Sequence, residues 1–158
     1  MSPLREIRPW HSRYQDDKKI EPLKRMFLIF EGTHTEFKYF EGIDNNKKSL
    51  GISNLIELII LEKSGDIEGY SHPKKLLELI NAKKEELKNT DKYDEEIDSF
   101  VIVFDRDRDS FKNNEDFIEF IRNASKENIL ALTNPCFEIW LILHFSDSID
   151  NYIIPYKE

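Results

Sequence analysis

The sequence predicts an α/β fold with a mostly parallel sheet of about four strands and helices on both faces. Short apolar runs alternate with longer segments of helical periodicity, in the order β-α-β-α-β-α-β-α. This alternation implies right-handed crossover connections between parallel strands. Two of the runs, 26–30 and 100–104, are apolar at every position, which is typical of strands that are buried on both faces.

The first half of the chain divides into two strand–helix units. The predicted elements are a strand at 26–30, a helix capped by Thr33 or Thr35, a strand at 55–61 and a helix from 71–73 to about Asn89. The first helix carries Phe37 and Phe40 on one side and ends before the polar segment 44–51. High Ile content and short length favour a strand at 55–61. Pro73 indicates a helix start, because proline is tolerated in the first helical turn.

The second half repeats the same pattern. The predicted elements are a strand at 100–104, a helix from Asn113 or Asn114, a strand at 128–133 and a helix from Asn134. Helical spacing places Phe117, Ile118 and Ile121 on the inward side of the third helix. The last helix is apolar nearly all round. We therefore expect it to be mostly buried, with Phe137 and Trp140 in the core.

Composition limits the classes of protein to which the chain can belong. It has 158 residues and a single cysteine, Cys136. A lone cysteine excludes an internal disulfide and a Cys-cluster zinc site, and it favours a cytoplasmic location. No apolar run reaches the ~18 residues of a membrane-spanning helix, and the N-terminal residues show no apolar signal region. We interpret Cys136 as a small apolar filler of the core.

Charge is unevenly distributed along the chain. The net charge of −8 divides into a leader, 1–25, with seven basic and four acidic side chains, and a remainder with 16 basic and 27 acidic ones. The leader, at +3, is interpreted as a partly ordered terminus or as an arm that contacts phosphate. The α/β domain is predicted at 26–146, and 147–158 is interpreted as a C-terminal tail that has been truncated.

Acidic side chains follow two of the predicted strands at the point where each strand ends. Glu31 comes directly after 26–30, and Asp105 and Asp107 come directly after 100–104. In open parallel sheets, functional groups gather at the carboxyl ends of the strands, so these carboxylates converge if the two strands are neighbours. Their mutual repulsion favours a hard divalent cation with oxygen ligands, Mg²⁺ or Mn²⁺.

Other interpretations of these acids remain open. The run 105–109 is also compatible with a self-neutralising surface loop, and Glu31 with ordinary loop chemistry. A calcium loop would use Asp105, Asp107, Asp109 and Asp116, but Ser110 stands where such loops have glycine, and a strand precedes the run. An aspartyl-phosphate phosphatase or receiver is a further rival, although the phosphatase pattern normally follows the first strand rather than the third.

Two segments together, Glu-Gly-Thr-His-Thr-Glu at 31–36 and Phe-Asp-Arg-Asp at 104–107, resemble the Toprim domain of topoisomerases, primases and overcoming-lysogenization-defect nucleases. More narrowly, residues 5–146 are similar to the RloB-like family, which is associated with restriction and abortive-infection loci. Three segments carry this similarity: 29–40, 103–107, and 134–145, which begins Asn-Pro-Cys-Phe-Glu. The resemblance implies a Toprim-like, Rossmann-like sheet. That family usually continues with more helical sequence, hence the expectation of a shortened C-terminus.

The resemblance also implies roles for individual residues. The implied roles are general acid/base catalysis or metal support for Glu31, Mg²⁺ binding for Asp105 and Asp107, support of the site for Glu36, Asp109 and Glu138, and phosphate contacts for Arg106 and Arg108. Glu36 is alternatively a first-turn acid of its helix. Glu138 lies among apolar neighbours, so we expect it to be buried with a partner. His144 is interpreted as a structural histidine.

The implied function is hydrolysis of a nucleic-acid phosphodiester, with metal-assisted phosphoryl transfer, in prokaryotic defence against phage. The expected partners are DNA or RNA, an ATPase of the defence locus and further copies of the chain, with no membrane. The alternative is a Toprim-like sensor or adaptor that binds a nucleotide, nucleic acid or the ATPase without cleaving. The intact set of Glu31, Asp105 and Asp107 favours the enzyme.

Overall fold

The computed structural model describes residues 22–32, 34–61, 63, 72–90, 92–106 and 110–145. Within these residues the strands are β1 (Lys24–Phe30), β2 (Ile56–Ile60), β3 (Ser99–Asp105) and β4 (Ile129–Thr133). The helices are α1 (Thr35–Asn45), α2 (Pro73–Lys88), α3 (Asn114–Ala124) and α4 (Phe137–Ile142). Strands and helices alternate along the chain, as the sequence predicts.

The four strands form one sheet in the order β2-β1-β3-β4. Every pair is parallel, so the predicted α/β fold is confirmed. β1 and β3 lie at the centre, and their apolar runs are buried. Burial on both faces explains why these two runs lack the polar alternation of a half-exposed strand.

Helices cover both faces of the sheet, as expected. α2 and α3 pack on one face, where Leu76 and Phe120 meet Phe27 and Phe100 of the central strands. α1 and α4 pack on the other face and enclose Leu28 and the neighbouring even-numbered residues of β1. Because successive side chains of a strand point to opposite faces, β1 contributes alternate residues to the two cores.

The predicted starts of α2 and α3 agree with the structure. His72 caps α2, and its Nδ1 accepts a hydrogen bond from the backbone N–H of Lys74 at 3.1 Å. Asn113 caps α3, and its Oδ1 accepts from the backbone N–H of Asp116 at 2.8 Å. Each cap satisfies a backbone donor that the first helical turn leaves unpaired.

The predicted cap of α1 is wrong for Thr35. His34 occupies the cap position without a side-chain bond that caps the helix, and Thr35 is the first helical residue; Thr33 lies outside the described residues. With this start, Glu36 falls in the first turn of α1. A carboxylate is favourable there, because the positive end of the helix dipole is close by.

The predicted burial of Ile118 on α3 is also wrong. Ile118 is 51% exposed, because the inward face of α3 is formed by Phe120 and Ala124, with Phe117 and Ile121 beside them. Ile118 is rotated away from these residues around the helix axis, so it lies outside the inward face of α3.

The last helix is shorter and more exposed than predicted. α4 begins at Phe137, three residues after Asn134, and has only six residues. Phe137 is buried as expected, but Trp140 is 47% exposed. A helix this short packs one side on the sheet and leaves its other side in solvent. None of the helices in the described ranges is long and apolar enough to span a bilayer.

The amino end of the sheet is tied together by Asp98. Its side chain is buried, and its two oxygens accept hydrogen bonds from the backbone N–H groups of Arg25 (2.7 Å) and Asp94 (3.0 Å). Lys24 and Arg25, which the charge pattern assigns to the basic leader, are the first residues of β1. The leader before Pro22 and the tail 147–158 lie outside the described residues.

The same substitution, glycine to alanine, is predicted to have opposite effects on stability at Gly51 and at Gly42. Gly51 has φ of +72°, so Gly51→Ala should lower the free energy of unfolding by about 1 kcal/mol. Gly42 lies inside α1 with open space around the position of a Cβ, so Gly42→Ala should raise it by about 0.5–1 kcal/mol. Urea unfolding measures both changes, and shifts of the same sign would contradict the backbone assignment.

Candidate functional site

The structure brings Glu31 and Asp105 together at the carboxyl edge of the sheet. Backbone pairing continues one residue past β1, where the N–H of Glu31 donates to the carbonyl of Val103 at 2.9 Å. The side chain of Glu31 then reaches the end of β3, and its Oε2 accepts from the backbone N–H of Asp105 at 3.0 Å. The two acids meet because β1 and β3 are neighbours in the sheet.

The carboxylate of Asp105 is held from the opposite side by Thr133. The two residues are register partners on β3 and β4, and the Thr133 hydroxyl donates to Asp105 Oδ1. Backbone pairing also continues here, since the N–H of Arg106 donates to the carbonyl of Thr133 at 2.8 Å. Sequence reasoning missed Thr133; the available signal was a polar residue at the end of the fourth apolar run.

Lys63 approaches the same edge from the segment after β2. Its Nζ donates to the backbone carbonyl of Glu31. Burial lowers the pKa of the Lys63 ammonium, and the nearby carboxylates of Glu31 and Glu36 oppose that shift. Lys63 therefore brings positive charge to an edge that is otherwise acidic. Sequence reasoning missed it, because the apolar pattern does not show that β2 pairs with β1 in the register that brings Lys63 beside Glu31.

Glu36 is buried beside Gly32, in the turn between β1 and α1. Its side chain is only 7% exposed. A Cβ placed on Gly32 would lie 2.2 Å from Glu36 Oε2, far inside van der Waals contact. The absence of a side chain at Gly32 is thus what admits this carboxylate. Glu36 is close enough to influence Lys63, so it lies at the predicted edge of the sheet.

Of the remaining predicted residues, the structure describes Arg106 and Glu138. Asp107, Arg108 and Asp109 lie outside the described residues. Arg106 is exposed, and its guanidinium lies 5.2 Å from the ring centre of Phe117 on α3. That position is typical of a cation–π contact.

The prediction that Glu138 is buried is wrong. It is exposed in the first turn of α4, because that short helix covers the sheet with one side only. Its neighbour Cys136 is half-buried; burial raises the pKa of the thiol, and the carboxylate of Glu138 adds to that shift. A thiol in this state is protonated and is not an activated nucleophile.

His144 joins α1 to α4 through hydrogen bonds. Its Nδ1 is 2.9 Å from the carbonyl of Trp140, and its Nε2 is 3.2 Å from the hydroxyl of Tyr39. Because a carbonyl can only accept, Nδ1 carries the proton and Nε2 of the neutral ring accepts from Tyr39. Trp140 Nε1 donates to the same hydroxyl at 3.3 Å. These contacts support the structural interpretation of His144.

The described part of the chain holds no group of three or more His, Cys, Asp or Glu side chains that could hold a metal ion. It does hold the carboxylates of Glu31 and Asp105 at one edge of the sheet, where Glu31 accepts from the backbone N–H of Asp105 and Asp105 accepts from the Thr133 hydroxyl. Hard oxygen donors of this kind suit Mg²⁺ or Mn²⁺. A calcium loop is disfavoured, because Asp116 is an α3 residue that pairs with Lys74 at 2.6 Å.

Comparison with known protein families gives one match. A family model described as RloB-like protein matches residues 26–155. The chain therefore belongs to the RloB-like family, as its three motif segments suggested. Neither the curated proteins nor the solved structures contain a match.

The bond from Thr133 to Asp105 predicts a stability difference between two substitutions. Thr133→Val keeps the shape but removes a donor to a half-buried carboxylate, and it should lower the free energy of unfolding by about 1–2 kcal/mol. Thr133→Ser keeps the hydroxyl and should cost less. Urea unfolding at neutral pH compares the two, and a valine variant as stable as the serine variant would contradict the contact.

Proposed function

We propose that this member of the RloB-like family is a Mg²⁺- or Mn²⁺-dependent phosphodiester hydrolase, a nuclease that acts in prokaryotic defence against phage. The observation that carries the proposal is the reach of Glu31 from β1 to the backbone N–H of Asp105 on β3. It joins the acids of the two central strands at one point of the sheet edge. The resemblance of the surrounding segments to the Toprim domain supports the same chemistry.

The residues proposed to hold the cation are Asp105 and Asp107, with Glu31 beside them. A divalent cation bound there would supply charge stabilisation for the phosphoryl oxygens of the scissile phosphodiester. Their oxygen donors fit such an ion better than a soft or redox metal. Thr133 would act as a positioning residue, since its hydroxyl orients the Asp105 carboxylate.

Glu31 is proposed to hold or move a proton during hydrolysis. Its backbone is fixed on both sides, by the N–H bond to Val103 and by Lys63 on its carbonyl. Its carboxylate is oriented by the Asp105 N–H. A carboxylate held in this way can accept a proton from an attacking water without first losing side-chain freedom. Arg106 and Arg108 are proposed to contact the phosphate backbone.

The alternative is a non-catalytic member that binds nucleic acid, a nucleotide or a partner ATPase. It is favoured by one observation: the carboxylates of Glu31 and Asp105 are each held by a protein donor, the Asp105 N–H and the Thr133 hydroxyl. The two proposals differ in what Asp107 contributes, because the enzyme requires it as a ligand and the adaptor does not. Metal-dependent cleavage by the full chain, and its loss when Asp107 is replaced, therefore separates them.

The metal proposal predicts a stabilising effect of Mg²⁺ that depends on the acids. At ten times the dissociation constant, Mg²⁺ should raise the free energy of unfolding by about 1.4 kcal/mol. The double variant Asp105→Asn with Asp107→Asn should abolish this shift and the heat of Mg²⁺ binding in calorimetry. Glu96→Gln, which changes an exposed acid before β3 at the other end of the sheet, is the matched control.

Cleavage assays on single-stranded and duplex DNA and RNA complete the test. The enzyme should cleave at least one substrate with Mg²⁺ or Mn²⁺, and Glu31→Gln should reduce the rate by roughly 10²-fold or more, as expected for loss of a general acid/base. Mg²⁺ binding with no cleavage of any of them would support the adaptor. No Mg²⁺ or Mn²⁺ binding at millimolar concentration would overturn the enzyme proposal.

A further inference from the structure

A cavity of about 440 Å³ opens at the carboxyl ends of β1 and β2, directly beside Glu31. Its apolar lining includes Phe37 of α1 with Ile60 and Leu61 at the end of β2. Its polar lining includes His34, Lys38 and Lys63. The volume falls in the range of natural small-molecule sites, which are mostly apolar with a few placed polar groups.

We propose that this cavity binds one unpaired nucleotide of the substrate, with the base against Phe37 and the phosphate against Lys63 and Lys38. The inference deepens the proposed nuclease function and rests on it for the identity of the substrate. It assigns the substrate class as single-stranded or locally unpaired nucleic acid.

The apolar lining residues of the cavity provide the surface that a base requires. Phe37 is partly exposed and lines the cavity together with the end of β2. Every base has an aromatic face, and stacking on an aromatic side chain strengthens binding roughly tenfold or more per base. A paired base inside a duplex cannot offer that face without leaving the helical stack. The cavity therefore selects strands whose bases are already free.

The two lysines of the cavity lining, Lys63 and Lys38, provide the charge that a phosphate requires. Lys63 uses one N–H to bind the Glu31 carbonyl, and an ammonium has three such donors. Lys38 is exposed on α1 at the same cavity. Glu41 also lines the cavity and opposes an anion, so removing its charge should strengthen nucleotide binding.

The position of Lys63 links the cavity to the proposed site of hydrolysis. The same residue contacts the Glu31 backbone and lines the cavity, while the Glu31 carboxylate reaches Asp105. A nucleotide in the cavity would thus place the adjoining phosphodiester next to the carboxylates. The cavity orients the strand, and the acids act on it.

The test is binding of a labelled oligothymidine, an oligouridine and a duplex of equal length to the full chain in EDTA, by fluorescence anisotropy. Without metal there is no cleavage, so binding is measured alone. The single strands should bind at least tenfold more tightly than the duplex. Lys63→Met and Phe37→Leu should each weaken binding roughly tenfold, and Glu41→Gln should strengthen it.

Lys48→Ala is the charge-matched control, because Lys48 is an exposed residue of the turn after α1; it should bind as the parent does. Phe37→Leu keeps an apolar side chain, and urea unfolding verifies that each variant is folded. Equal binding of duplex and single strands, or unchanged binding by the Lys63 and Phe37 variants, would overturn the inference.

The failure of the inference and the failure of the nuclease proposal give different results. Glu96→Gln should bind the oligothymidine in EDTA as the parent does, since Glu96 lies at the other end of the sheet and outside the cavity. Selective single-strand binding that needs Lys63, without any metal-dependent cleavage, would uphold the cavity and reject the enzyme. Metal-dependent cleavage with unchanged binding in the Lys63 and Phe37 variants would do the reverse.

Discussion

The parallel pairing of β1 with β3 is the constraint on which the rest of the molecule depends. Both strands are apolar on both faces, so both must lie at the centre of the sheet, where helices cover each side. An acid follows or ends each strand, and parallel pairing brings the two ends to one edge. The hydrogen bond from the Asp105 N–H to the Glu31 carboxylate is a consequence of that pairing.

The sequence was sufficient to predict the elements, because strand position and burial follow from continuous apolar runs. It placed Glu31 and Asp105 at the ends of their strands, but it left open whether those strands are neighbours. It was insufficient for α4, whose apolar residues suggested burial. Trp140 and Glu138 are exposed, because only one side of that short helix packs on the sheet. Helical periodicity alone also misassigned Ile118, since the inward stripe of α3 is centred on Phe120. Packing partners, rather than composition, decide such cases.

Thr133 and Lys63, which the sequence did not reveal, are residues that hold the acids in place. Thr133 depends on the register of β4 against β3, and Lys63 depends on the path of the chain after β2. Neither register nor path can be derived from apolar patterns. Both residues have the same physical effect. Thr133 supplies a donor and Lys63 supplies positive charge, and both offset the repulsion between carboxylates at one edge of the sheet.

The strand order also divides the edge into two halves with different chemistry. β1 has β3 on one side, which supplies Asp105, and β2 on the other, which leads into Lys63 and the cavity. Glu31, at the end of the strand between them, belongs to both halves. In the proposal, a strand that places a base in the cavity continues towards the carboxylates. A single strand does this readily, whereas a stacked duplex would have to unpair first. In this proposal, the preference for unpaired substrate follows from the strand order itself.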